Sequence, residues 1–298
     1  MKVGLALPSM ATGWTRQTFL DWCRVAEEGP FASISCGERI TFRNTEMITS
    51  IAAAAALTTR PRVMINLAIT PWHETALLAK QVATLDVLSD GRLDLGVGIG
   101  GRAQDYEAMN APTAHRHQRV DDQIAELRRL WDGGEPVPGA PPLGPPIVQP
   151  GGPPIYAGAL GPKAMARAAR WADGISGFSI SADAGDINPA ITTARQAWSD
   201  ADREESPRFV SACFAVCGVP DAGERLHRFS REYLAIFGDE MAVAMADLAR
   251  LDSVQVLTQT LEQAAAETDA DEIILVPGDT DPACADALAQ AVTDADLS

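Results

Sequence analysis

Short apolar runs alternate along this chain with longer segments in which apolar residues return every three or four positions. Runs of the first kind predict buried strands, and segments of the second kind predict helices with one buried face. The strands fall at 3–8, 31–40, 63–69, 93–99, 155–159, 174–180, 209–219 and 272–276. Helices are expected at 18–28, 44–59, 70–88, 115–131, 162–172, 187–202, 222–237, 241–249, 257–267 and 282–292. Strands that alternate with helical crossovers favour a parallel sheet. Eight of them in one chain is the count of an α/β (β/α)8 TIM barrel.

The pattern is sharpest between Thr70 and Asn110, which reads as helix, tight turn, strand and glycine-rich loop. Leu78, Val82, Leu85 and Leu88 line one helical face, with Thr70 as the expected cap, Pro71 at the first position and Asp90-Gly91 as a left-handed stop. In the strand, Leu93, Leu95, Val97 and Ile99 alternate with Asp94, Gly96, Gly98 and Gly100, so one face is apolar and the other nearly bare. Bare backbone costs packing and entropy, which fits either a flat ligand lying on it or the relief of crowding inside a barrel.

One break in composition interrupts the rhythm. Gly133 to Pro154 is too rich in proline and glycine for a helix or a central strand. In isolation it would be a linker between domains. Because the strand-helix alternation resumes after it, we read it as an excursion before the fifth strand of a single domain spanning residues 1–298.

Composition narrows the function classes. The 298 residues carry a net charge of −16 with the acids scattered, which argues against nucleic acid or an anionic membrane as a partner. No charged leader precedes the first strand and no apolar run is long enough to span a bilayer, so a cytoplasmic location is expected. Cys23, Cys36, Cys213, Cys217 and Cys284 are an odd set that reads as reduced thiols. No metal site is expected: Cys213 and Cys217 have no accompanying pair, and His115 and His117 are two apart on a helix, where side chains do not converge.

Candidate chemistry sits where a barrel places it, at the carboxyl ends of the strands. Glu38 follows the second strand and could act as a base or acceptor, or pair with Arg39 at the surface. Trp72 and His73 follow the third strand and could line a pocket, with a helix-capping histidine as the alternative. Arg102 and Asp105 follow the fourth. Gly158-Ala159-Leu160-Gly161-Pro162-Lys163 opens a helix, so it could be an anion site or an ordinary turn.

Three ordered blocks carry a resemblance: NTEMITSIAAAAALTTRPRVMINLAITP, ALLAKQVATLDVLSDGRLDLGVGIGGRAQDYEAMN and YAGALGPKAMARAARWADG. Together they are similar to the luciferase-like family of flavin- and deazaflavin-dependent oxidoreductases, over most of the chain. The resemblance implies a bacterial luciferase-like barrel with FMN, or alternatively coenzyme F-420 (8-hydroxy-5-deazaflavin), at the strand ends. It further implies a non-proline cis peptide near Leu67-Ala68, give or take one residue, pressing on the ring. By the same resemblance Leu67, Ala68, Gly98 and Gly100 would border the ring, and Gly158, Ala159, Leu160, Gly161 and Lys163 would hold the cofactor phosphate.

Two departures from the family pattern stand out. Where relatives often carry an acid and then histidine after the second strand, this chain has Gly37 and Glu38, and where sugar-oxidising deazaflavin members carry a glutamate it has Gly101. Glu38, His73 and Arg102 are the remaining candidates for catalysis. The resemblance implies oxidation or reduction of a small organic substrate, as monooxygenase or by hydride transfer, in a homodimer, with a separate flavin reductase for the FMN-dependent monooxygenase alternative. Two competing readings are a non-catalytic barrel that has lost its cofactor and an NAD-type dehydrogenase. The second fits poorly, because the glycines lie within the strand rather than in a strand-to-helix turn.

Overall fold

A computed structural model describes residues 1–297; Ser298, the end of the expected domain, lies outside the described residues. The first half runs β1 (Lys2–Ala6), α1 (Arg16–Glu28), β2 (Ser33–Cys36), α2 (Met47–Leu57), β3 (Arg62–Ile69), α3 (Thr75–Leu88) and β4 (Leu93–Gly98). Two helices, α4 (Ala103–Ala108) and α5 (Arg116–Trp131), precede β5 (Ile155–Gly158). Then come α6 (Pro162–Ala168), β6 (Gly174–Ser176), α7 (Ala184–Asp200), β7 (Arg208–Ala215), α8 (Ala222–Leu234), α9 (Asp239–Ala246), α10 (Val254–Glu267), β8 (Glu272–Pro277) and α11 (Pro282–Asp294).

The strands close in sequence order into one barrel, with β1 paired to both β2 and β8 and every pairing parallel. This is the expected (β/α)8 architecture. Alternation along each strand splits the apolar residues into two layers. Val3, Leu5, Ile65, Leu93, Leu95 and Leu275 face the helices and form the main core. Ala6, Met64, Tyr156, Val210, Ala212 and Ile274 fill the barrel itself.

At the amino-terminal mouth the buried polar groups are paired. Arg62 donates to both carboxylate oxygens of Asp94 at 2.6 and 2.8 Å, and Ser33 Oγ donates to Glu272. Gly4 is required there, since a Cβ on it would come within 2.5 Å of Glu272 Oε1. Residues 133–154 hold no strand or helix and are pinned by Asp86, which is fully buried on α3. Its carboxylate accepts from the Val148 and Gln149 amides at 2.6 and 2.9 Å and from Gln149 Nε2 at 2.8 Å.

Several boundaries differ from the sequence reading: β6 and β7 end at Ser176 and Ala215, short of 180 and 219, and α4 forms within the expected glycine-rich loop. The second strand ends at Cys36, because residues 37–46 leave the sheet to form the barrel mouth. The third helix starts at Thr75 with Glu74 as its cap residue, and Thr70–Trp72 is a separate single turn. Thr70 therefore caps nothing, and its buried hydroxyl has no partner among the described residues. The stop at the other end is as expected, with Asp90 and Gly91 at φ 53° and 72°.

Candidate functional site

The carboxyl-terminal mouth gathers residues that the sequence spreads from Glu38 to Tyr233. At the end of β3 the Asn66-Leu67 peptide is cis, one residue before the expected bond, and the β3–β4 register shifts between Ile65 and Ala68. This bulge turns Leu67 into the barrel. A Cβ on Gly96 would lie 2.7 Å from Leu67 Cδ2, and one on Gly158 would lie 2.3 Å from Leu67 Cδ1. On Gly98 and Gly100 it would meet Leu67 Cδ1 at 3.1 Å and Ile69 Cγ2 at 2.8 Å. The bare face of β4 is thus covered by two leucine and isoleucine side chains from β3, which is the crowding reading of these glycines. Leu67 and Ile69 are themselves half-buried, so they present an apolar shelf to the mouth, while Ala68 is fully buried behind them. Asn66 reaches across the barrel, where its Oδ1 accepts from Ser176 Oγ at 2.8 Å.

Beside the shelf, Glu38 and His73 come together. His73 Nε2 lies 2.9 and 3.0 Å from the two carboxylate oxygens of Glu38, and the Ile69 amide donates to Glu38 Oε2 at 2.6 Å. A carboxylate only accepts, so Glu38 as carboxylate favours a ring proton on Nε2, and in the neutral imidazole Nδ1 then keeps a lone pair. Gln123 Nε2 fixes the backbone of this turn by donating to the carbonyls of Thr70 and His73, both at 2.9 Å. The alternatives weighed from sequence are not what forms. Glu38 does not pair with Arg39, and His73 precedes the cap residue of α3 instead of capping it. The histidine at this mouth comes from the segment that follows β3.

Arg102, the third candidate, stands apart from this pair. It is the cap residue of α4, and its Nη2 donates to the Tyr233 carbonyl at 3.0 Å. Asp105 accepts from the Thr41 amide at 2.6 Å and its hydroxyl at 2.5 Å. Near Arg102 lie Phe42 and Tyr233, which the sequence reading did not single out. Phe42 stacks on Arg39 at 3.7 Å from its ring centroid, with the Tyr233 ring at 5.0 Å. Trp72 packs edge-on against Tyr106 at 5.4 Å, and Tyr106 Oη donates to the Ile99 carbonyl. The available signal was that Arg39 directly follows Glu38 and Phe42 lies one short segment on, after Ile40 and Thr41.

The loop after β5 is open. Leu160 is 73% exposed, Lys163 is exposed, and a Cβ on Gly161 would meet nothing within 4 Å. Two amides of the first turn of α6, Ala164 and Met165, already donate to the Gly161 carbonyl at 3.0 Å. Ala159 is buried under the loop.

Among the described residues no cluster of histidine, cysteine or acidic side chains could hold a metal, and no helix is long and apolar enough to cross a membrane. The cysteines are free and buried. Burial pushes the Cys23, Cys36, Cys213 and Cys284 thiols up to about 12.

The luciferase-like monooxygenase family model matches residues 1–295. The chain belongs to the luciferase-like monooxygenase family. An uncharacterized protein of Mycobacterium tuberculosis is 31% identical over 186 residues, covering 60% of this chain and 64% of that protein. The chain thus matches just under two thirds of the length of that relative. Among solved structures, monooxygenase RslO1 from Streptomyces bottropensis superposes with a TM-score of 0.76 at 20% identity, covering 98% of this chain and 99% of that one. The coenzyme F420-dependent tetrahydromethanopterin reductase of Methanopyrus kandleri gives 0.71 at 16%, covering 98% and 96%. The oxygenating constituent of 3,6-diketocamphane monooxygenase from Pseudomonas putida, in complex with FMN, gives 0.74 at 15%, also covering 98% and 96%. These luciferase-like structures share the fold.

Proposed function

We propose that this chain is a flavin-type oxidoreductase that acts on a small organic molecule at the carboxyl-terminal mouth of the barrel. The observation that carries the reading is the half-buried shelf of Leu67 and Ile69 over side-chain-free glycines, next to the buried Glu38–His73 pair. A flat tricyclic ring fits such a shelf, and both FMN and coenzyme F420 have one. The family match and the cofactors named for two structural neighbours support the same reading. When bound, either group would supply the electron pair, and the protein would orient it.

The chain's own residues then have distinct roles. Leu67 and Ile69 support one ring face, with Gly98 and Gly100 leaving room beneath them. Ala159 and Gly158 border the far side, and Leu160, Gly161 and Lys163 lie where a phosphate tail would reach. Glu38 holds His73 in one tautomer, so that His73 Nδ1 is the atom able to take a proton at the mouth. Trp72 and Tyr106 wall the turn that carries His73 and exclude water from it. A homodimer, and a separate reductase if FMN is the cofactor, belong to the same proposal.

The deciding experiment is a fluorescence titration of the protein with oxidised FMN, anaerobically reduced FMN and coenzyme F420. Preference for reduced FMN supports an oxygen-using monooxygenase, and binding of F420 alone supports hydride transfer. Binding of none of the three would overturn the proposal in favour of a non-catalytic barrel.

A further inference from the structure

Arg39 sits in the barrel mouth with its hydrogen-bond donors unpaired among the described residues. It is 8% exposed, and Nε, Nη1 and Nη2 are all buried with no hydrogen-bond partner among the described residues. Stacking on Phe42 and the Tyr233 ring engages the flat face of the guanidinium and leaves its in-plane donors unused. Asp105 is near enough to attract the charge, but no acid forms an ion pair or hydrogen bond with it among the described residues. Asp105 is engaged by Thr41, and the neighbouring Arg43 takes Glu232 for itself. Burial, with Arg102 alongside, pushes the Arg39 pKa down to about 10, which still leaves the group cationic at neutral pH.

A buried cation without a partner is costly to keep, and in a folded protein such a group calls for an explanation outside the chain's own contacts. The planar fork of a guanidinium matches a carboxylate in two parallel hydrogen bonds. The position points to the reacting molecule, because Arg39 directly follows Glu38 and so lies next to the proton-handling pair. The enclosing surfaces are aromatic and half-exposed, which suits an unsaturated or aromatic body attached to the anion.

We propose that Arg39, with Arg102 beside it, recognises a carboxylate on the substrate, which makes the substrate an organic acid, preferably with an aromatic or unsaturated body. This rests on the oxidoreductase reading of the mouth. It is a specificity role: the residue binds and orients, and moves no proton. A phosphate on the cofactor shares the same chemistry and is the competing source of the anion.

The test uses the purified chain without added cofactor, followed by thermal unfolding and tryptophan fluorescence. The probes are acetate, benzoate, inorganic phosphate and the neutral control benzamide, at constant ionic strength. Benzoate is expected to raise Tm and benzamide to leave it unchanged. Arg39→Gln should bind benzoate at least tenfold more weakly, and Arg39→Lys should recover part of the loss. Arg39→Met should unfold at the same or a higher temperature than the parent without ligand, because an unpartnered buried charge has been removed. A fall in Tm would assign Arg39 a structural role and overturn the proposal. So would the absence of any carboxylate effect in the unaltered protein, which needs no variant to fold. FMN and riboflavin titrations separate the two sources of anion. If Arg39→Gln weakens FMN but not riboflavin, the anion is the cofactor phosphate and the substrate assignment falls. Failure of the oxidoreductase reading appears elsewhere, as loss of all cofactor binding with the benzoate effect intact.

Discussion

Replacing Glu38 separates its structural role from its chemical one. Its carboxylate accepts from the Ile69 amide at 2.6 Å and from His73 Nε2 at 2.9 and 3.0 Å, in a buried position. Hydrogen bonds to a charged group contribute roughly 1.5–3 kcal/mol each, so Glu38→Ala should cost about 3–6 kcal/mol. For a domain of this size that corresponds to a Tm lower by about 6–12 °C. Glu38→Gln keeps an oxygen for the Ile69 amide and turns its NH2 toward His73. The imidazole must then accept at Nε2 and carry its proton on Nδ1, at a net cost of about 1 kcal/mol, the ordinary worth of one neutral hydrogen bond. The glutamine variant should therefore fold almost as stably as the parent, with its histidine in the other tautomer and Nδ1 no longer able to take a proton. Circular dichroism melts of both variants measure the first effect, and nitrogen chemical shifts of the His73 ring measure the second. Equal destabilisation by Gln and Ala, or an unchanged His73 tautomer in Glu38→Gln, would refute this account of the pair.

Three further outcomes follow from distances and burial. Gly96→Ala places a Cβ 2.5 Å from the Ile65 carbonyl oxygen, a backbone atom, and should lower Tm by several degrees; Gly161→Ala meets nothing within 4 Å and should leave Tm unchanged. With every cysteine buried and four of the thiols held near 12, a thiol reagent at pH 8 should label none in the native protein and five after unfolding. Burial raises the Glu272 pKa, so its stabilising contribution is present at acid pH and is lost as pH rises through the raised value. Glu272→Gln keeps the acceptor for Ser33 and stays neutral, so in pH-dependent melts it should exceed the parent at pH 7 and converge with it at acid pH.

Much of the barrel is legible because its signals are local. Leu93, Leu95 and Val97 alternate with Asp94, Gly96 and Gly98, and the structure separates the two sets onto opposite faces of β4. The stop at Asp90-Gly91 is equally local. What sequence could not supply are meetings between distant residues. His73 and Glu38 are both visible as polar residues at strand ends, but their pairing depends on how far residues 37–46 leave the sheet. Thr70 looks like a cap because its type and its following proline are right, yet tertiary packing inserts a single turn and moves the helix start to Thr75. The burial of Arg39 was hidden for the same reason, since Tyr233, one of the two rings that enclose it, arrives from α8.

The two ends of the barrel treat buried polarity differently, and that difference supports the proposed site without reference to any relative. At the amino-terminal end Arg62 meets Asp94 and Ser33 meets Glu272, so the charged and hydroxyl groups there are answered inside the chain. At the carboxyl-terminal end Arg39, Asn44 Oδ1, Thr70 Oγ1 and Trp72 Nε1 are buried without partners among the described residues. All four lie in the segments that follow β2 and β3. Unpartnered buried groups are few in folded proteins because each one lowers stability. Gln81 Oε1 on α3, Gln123 Oε1 on α5 and Ser230 Oγ on α8 are also without partners among the described residues, but the one charged group in the set, Arg39, stands in these loops beside the Glu38–His73 pair, as expected of a mouth that takes a ligand.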